Sequence, residues 1–154
     1  MTLNIGDKLP AFKAVTAEGP LSDKDLKGSN VVIYFYPKDD TPGCTVEACE
    51  FRDNLPKFKK MNAKVYGVSK DSLKSHAKFA DKYELPFTLV SDEDGKMCEA
   101  FDTWVEKSMY GKTSMGIERA TFLADDKGVI RQIWRKVKAA GHAEEVLAEI
   151  KKLK

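Results

Sequence analysis

Val31-Val32-Ile33-Tyr34-Phe35-Tyr36-Pro37-Lys38-Asp39-Asp40-Thr41-Pro42-Gly43-Cys44 is the stretch on which the fold turns. Its first six residues are apolar, β-branched or aromatic without alternation. That composition predicts a strand buried on both faces, as in a parallel sheet. Pro37 ends the strand, because proline has no N–H for the ladder. Thr41-Pro42 then opens a helix, with a hydroxyl at the N-cap and proline at the first helical position. Cys44, Ala48, Phe51, Leu55 and Phe58 follow on one face of a 3.6-residue period. Lys57, Lys59 and Lys60 suit the negative end of that helix. Such a strand-to-helix junction lies beyond a strand's carboxyl end, where open α/β sheets usually bind ligands.

Outward from this junction the pattern repeats. Residues 64–69 read as a second buried strand and residues 72–83 as a helix with Leu73, His76 and Phe79 on one side. Residues 87–90 read as a third strand, and Asp94-Gly95 as a turn into a short helix holding Met97, Cys98 and Phe101. The stretch 103–116 reads as irregular. Residues 117–123 and 129–134 flank Asp126-Lys127-Gly128, which is hairpin chemistry. Residues 144–153 form an amphipathic helix with Val146, Leu147 and Ile150 inward. Upstream, the stretch to about Lys27 is turn-rich, with Phe12, Ala14 and Val15 in an early strand or hairpin. Alternation first and a hairpin last predict an α/β fold, a mixed central sheet with helices on both faces. The 154 residues are expected to form one domain.

Composition narrows the function. With 26 basic and 24 acidic side chains there is no case for nucleic acid as the main partner. From residue 127 onward there are eight Lys/Arg against three Asp/Glu, so +5 locally and −3 elsewhere. We read this as a solvated basic face; a patch for an acidic partner is the sharper alternative. No apolar run approaches a membrane span, and the first ten residues do not read as a signal peptide, so a cytoplasmic location is expected. Three cysteines cannot make a disulfide framework, and in a reducing compartment a close pair points to catalysis or metal. His76 and His142 form no paired ligand clusters with them, so no metal site is expected. The absence of a Gly-rich phosphate loop also leaves no case for a nucleotide cofactor.

Cys44 falls at the third helical position if Thr41 is the N-cap. There the unpaired N–H groups and the positive end of the helix dipole stabilise a thiolate and lower the thiol's pKa. Packing on the inward stripe is the competing role for this residue. Cys49 follows in a Cys-x4-Cys spacing. On an intact helix the two Cα atoms lie about 8.6 Å apart, turned by roughly 140°. A disulfide tolerates about 6.8 Å at most. Either the two never pair, or pairing unwinds this segment.

Residues 37–44 match Pro-x-x-x-Thr-x-x-Cys, the active-site signature of the peroxiredoxins. With Cys49, Gly67-Val68-Ser69, Leu89-Val90-Ser91-Asp92, Tyr110-Gly111-Lys112 and Arg119-Ala120-Thr121-Phe122-Leu123, the chain resembles the bacterioferritin comigratory protein, or peroxiredoxin Q, subfamily over nearly its whole length. The resemblance implies a thioredoxin-like fold and a thiol peroxidase that reduces hydrogen peroxide and organic hydroperoxides without a cofactor. It makes Cys44 the peroxidatic cysteine, oxidised to a sulfenic acid, and Cys49 the resolving cysteine. The implied intramolecular Cys44–Cys49 disulfide would be reduced by thioredoxin or a similar dithiol protein. Thr41 would hydrogen-bond the thiolate and the peroxide, and Pro37 would shape the pocket and keep water off the thiol. Arg119 would stabilise thiolate and oxyanion, and the N–H of Gly43 or Cys44 would add a donor to the peroxide. Without the family, Arg119 is more simply a surface ion-pair partner of Glu118 or another acid. Cys98 has no motif role and is expected to pack. Trp104 and Tyr110 either line the substrate mouth or pack in their loop. The subfamily also implies a monomer. A general dithiol–disulfide oxidoreductase would typically carry Cys-x-x-Cys, which this pair is not. A redox-sensing or holdase protein using the same sulfenic acid is separated from a peroxidase by an assay of peroxide turnover.

Overall fold

The computed structural model describes residues 3–153. The decisive strand, β3 (Asn30–Phe35), lies in the interior of a seven-stranded sheet. Its side chains point alternately to two apolar layers. Val32, Tyr34 and Tyr36 face one core, and Val31, Ile33 and Phe35 the other. The expectation of burial on both faces therefore holds.

The early hairpin is β1 (Lys13–Thr16) with β2 (Gly19–Ser22), followed by a 3-10 turn at Asp23–Leu26. After β3 come α1 (Pro42–Lys60), β4 (Ala63–Ser69), α2 (Leu73–Tyr83) and β5 (Thr88–Ser91). A short α3 (Lys96–Ala100) precedes β6 (Trp104–Met109) and β7 (Lys112–Ile117). Then follow β8 (Ala120–Ala124), β9 (Ile130–Trp134) and α4 (His142–Lys151).

The sheet order is β2-β1-β5-β4-β3-β8-β9. Strands β3, β4 and β5 are parallel neighbours, whereas β8 and β9 on one side and β1 and β2 on the other run antiparallel. The sheet is mixed, as the element order implied. Side chains from α1, α2 and α4 fill one layer, including Phe51, Phe58, Phe79, Val146 and Ile150. On the opposite face Met97 and Cys98 of α3 pack with Phe12, Phe101 and Phe122.

Two expectations need correction. The stretch 103–116 is not irregular: it is a separate two-stranded hairpin of β6 and β7. The strand expected over 117–123 is two strands, because Ile117 ends β7 and the main-sheet strand begins at Ala120. Glu118 and Arg119 form the break between them.

One close approach needs glycine. A Cβ on Gly67 would sit 2.8 Å from the Tyr34 ring and hydroxyl and 2.9 Å from Leu89. Tyr34 lies across β4 there and stacks on Phe51 at 4.7 Å.

Candidate active site

The parallel topology places the loop after β3 and the N-terminus of α1 at one end of the sheet. Thr41 is the N-cap in extended conformation, and Thr45 N–H donates to its carbonyl to begin the helix. Pro42 and Gly43 come next, so Cys44 occupies the third helical position. Its side chain is 2% exposed, packed into the core layer beneath α1. The packing role and the reactive position therefore coincide in one residue.

Thr41 departs from the expected capping role. Its hydroxyl does not cap the helix. It donates instead to the Lys38 carbonyl at 2.9 Å, which closes the loop on itself. In this arrangement the hydroxyl proton is committed to the loop, and donation to sulfur or peroxide means giving up the Lys38 carbonyl. Pro37 is exposed at the end of β3.

Arg119 comes from far along the chain to meet Cys44. One guanidinium nitrogen donates to Cys44 Sγ at 3.3 Å, and another to Glu47 Oε1 at 2.8 Å. The alternative pairing with Glu118 is not made; Glu118 instead accepts from Arg135 at 3.3 Å. Burial disfavours the Arg119 charge, but Glu47 and the Cys44 sulfur more than offset this and its pKa is raised. Gly43 lets the guanidinium in, since a Cβ there would lie 3.2 Å from Arg119 Nη2.

Glu47 was not singled out from sequence. It is fully buried, and its second oxygen, Oε2, has no hydrogen-bond partner among the described residues. Burial pushes its carboxyl up to about 7, against the opposing pull of Arg119. A signal was present: position 47 falls on the apolar stripe of α1, where an acid has no packing reason to be. Tyr34 lies under the same site, and its hydroxyl has no hydrogen-bond partner among the described residues. Burial first, and then the negative groups Glu47, Cys44 and Asp39, hold its phenol well above the ordinary value.

Cys49 is half-buried on α1, and all three cysteines are free thiols. With α1 continuous from Pro42 to Lys60, the geometry keeps Cys44 and Cys49 apart. Cys98 is fully buried on the opposite face of the sheet. Burial, followed by the neighbouring Asp92, drives its thiol strongly up, as expected of a packing residue. Trp104 lies under the Lys70 ammonium at 4.1 Å, whereas Tyr110 is 97% exposed at the hairpin tip. The β6–β7 hairpin still reaches the site electrostatically. Burial and then Arg119 lower the Lys107 ammonium, while Cys44 opposes them.

The structure also gathers Asp39, Asp71 and His76, whose possible ligand atoms lie within 4.8 Å of one another. Sequence spacing gave no hint of this, because the three come from three separate segments. All three are engaged in hydrogen bonds with each other's neighbourhood, and no metal role follows.

A strand-to-helix junction carrying a buried cysteine, held by an arginine at the head of the neighbouring strand β8, defines a thiol-based redox site on a thioredoxin-like fold. The chain belongs to the AhpC/TSA family, whose profile matches residues 5–133. Within it the similarity is to the peroxiredoxins named Bcp. The chain is 52% identical over 151 residues to a putative peroxiredoxin bcp of Coxiella burnetii, covering 97% of this chain and 100% of that one. It is 47% identical over 152 residues to peroxiredoxin Bcp of Bacillus subtilis, covering 98% and 97%. Among solved structures, a cysteine-to-serine mutant of Xylella fastidiosa PrxQ superposes with a TM-score of 0.93 at 44% identity, covering 99% and 98%. The Xanthomonas campestris bacterioferritin comigratory protein, studied for its alkyl peroxide reduction activity, gives 0.88 at 49% identity, covering 92% and 91%. The protein is thus a peroxiredoxin, an enzyme that reduces hydroperoxides at the expense of a thiol reductant.

Proposed function

We propose that Cys44 is the peroxidatic thiol, Cys49 the resolving thiol, and hydrogen peroxide and alkyl hydroperoxides the substrates. The observation that carries this reading is the Arg119 guanidinium, which donates to Cys44 Sγ and Glu47 Oε1 at once. It supplies fixed positive charge where the sulfur must be ionised and where an oxyanion develops.

The Cys44 thiolate attacks one peroxide oxygen in line with the O–O bond. The S–O bond forms as the O–O bond breaks, and the leaving hydroxide or alkoxide takes up a proton and departs as water or alcohol. Arg119 stabilises the charge on both sulfur and oxygen as it moves. The free N–H groups at the start of α1, including those of Gly43 and Cys44, are donors for the same oxygens. Pro37 and Thr41 frame this mouth from the loop. Cys44 is left as the sulfenic acid. The Cys49 sulfur then attacks the Cys44 sulfur, water leaves, and an intramolecular disulfide remains. This step requires the first turns of α1 to unwind. An external dithiol, thioredoxin or a similar protein, reduces the disulfide by exchange.

Because both thiols are on one chain, a monomer completes the cycle, and residues 1–154 act as a single domain. A reducing, cytoplasmic compartment fits the free thiols. Among the described residues no helix is long and apolar enough to cross a membrane. Peroxide consumption coupled to a dithiol reductant tests the assignment: Cys44→Ser should abolish turnover and Cys49→Ser should stop it after one equivalent. Full activity in Cys44→Ser overturns it.

A further inference from the structure

The loop between β3 and α1 carries two aspartates, and both are tied to α2. Asp40 has a left-handed backbone (φ 55°), a strained conformation for this residue. Its carboxylate accepts from Lys82 Nζ and from the Tyr83 hydroxyl, each at 2.8 Å. These are exposed contacts near the end of α2.

Asp39 is tied more deeply. It is buried, and its carboxylate accepts from the Tyr36 hydroxyl at 2.6 Å and the Ser75 hydroxyl at 2.7 Å. His76 Nδ1 lies 2.8 Å from the same Oδ2. His76 Nε2 faces the Val90 carbonyl at 2.9 Å. A carbonyl only accepts, so Nε2 carries a proton. Nδ1 then meets Asp39 Oδ2 in a short buried contact, with the Tyr36 hydroxyl 3.4 Å from the same nitrogen. The Asp39 N–H donates to Asp71 Oδ2, which also accepts from Ser69 Oγ. The Asp39 carboxylate joins the loop to α2, the Asp71 carboxylate joins it to the end of β4, and His76 carries the chain of contacts on to β5.

None of these groups touches sulfur or peroxide. What they hold is the segment that sets where Cys44 stands, and the same segment must let go for Cys44 to reach Cys49. We propose that His76 is a positioning residue. Through Asp39 it clamps the active-site loop in the form that attacks peroxide, and so opposes the unwinding that forms the disulfide. The two half-reactions are traded against each other at this contact. The inference rests on the Cys44–Cys49 reading above and adds to it a residue that governs the balance.

The test uses two substitutions with opposite retention. Asn at position 76 places its amide nitrogen near the site of Nδ1 and keeps a donor to Asp39. Gln places its amide near the site of Nε2 and keeps the Val90 contact only. In His76→Gln, thiol oxidation by hydrogen peroxide should slow about 10-fold while disulfide formation speeds up roughly threefold, read by rapid-mixing kinetics. His76→Asn should stay close to wild type in both steps. Ser75→Ala, which removes one donor from Asp39 at half-buried Ser75, should fall between them, and it decides the matter if His76→Gln fails to fold. Slowing of both steps together, or equal damage from Asn and Gln, overturns the clamp. Amide hydrogen exchange of the reduced protein, with no peroxide present, separates this inference from the cysteine assignment. Residues 42–51 should exchange faster in His76→Gln and in Ser75→Ala whichever cysteines react, and unchanged exchange there contradicts it.

Discussion

At the level of single residues, the site depends on one guanidinium serving two partners. A lysine at position 119 keeps the charge but not the fork, and reaches one partner at a time. Arg119→Lys should therefore lower kcat/KM for peroxide about 100-fold, measured with the reductant in excess. Gly43→Ala should displace the guanidinium by the few tenths of an ångström that a 3.2 Å contact demands, with a smaller loss in the same assay. Glu47 makes a different prediction. Its folded pKa of about 7 lies above the ordinary value of 4.5, so the folded state holds that proton more tightly than the unfolded chain. The stabilisation this gives is complete below about pH 4.5 and is lost as pH rises through 7. Glu47→Gln cannot titrate, so wild type should lose stability relative to the variant between pH 5 and pH 8 in urea unfolding. A stability difference that is flat with pH contradicts the assignment. Cys44 was legible from its motif and its place in the helix. Arg119 was legible only through family resemblance, because its two partners lie about 75 positions upstream. Glu47 was missed, although an acid on an apolar stripe was the signal that could have found it.

Among the elements, the strand and helix either side of the loop were the most legible, because one is apolar on both faces and the other has a clean stripe. The β6–β7 hairpin was not. Its strands are largely exposed and polar, so they carry no apolar alternation, and its turn is Tyr110-Gly111 rather than Asn-Gly. Both turn residues have positive φ, at 53° and 76°, which suits a tight hairpin turn that sequence pattern alone did not announce. Thr41 shows the same limit on a smaller scale. The N-cap position was right, but the Lys38 carbonyl takes the hydroxyl, and only the loop's path decides that. Strand β4 owes its fit to Gly67. Gly67→Ala forces a methyl into the Tyr34 ring and Leu89, and we expect a loss of about 2–4 kcal/mol in denaturant unfolding.

For the molecule as a whole, α1 is a wall of the core and, in the proposed cycle, also the segment that must open. Glu50, next to Cys49, accepts the Gly141 N–H at 2.8 Å and so ties α1 to the start of α4. A disulfide usually stabilises by constraining the unfolded chain. The proposed Cys44–Cys49 bond would be made at the expense of helix and core packing, so the oxidised protein should melt several degrees below the reduced one by calorimetry. A higher Tm on oxidation would mean that α1 survives the reaction. The cysteines divide by position into two on α1 and one on the far face of the sheet, and the proposed mechanism rests on this division. Its most direct test is peptide mapping by mass spectrometry after one equivalent of hydrogen peroxide. The account predicts a Cys44–Cys49 cross-linked peptide with Cys98 still a free thiol; a Cys44–Cys98 linkage, or an unmodified Cys44, would contradict it.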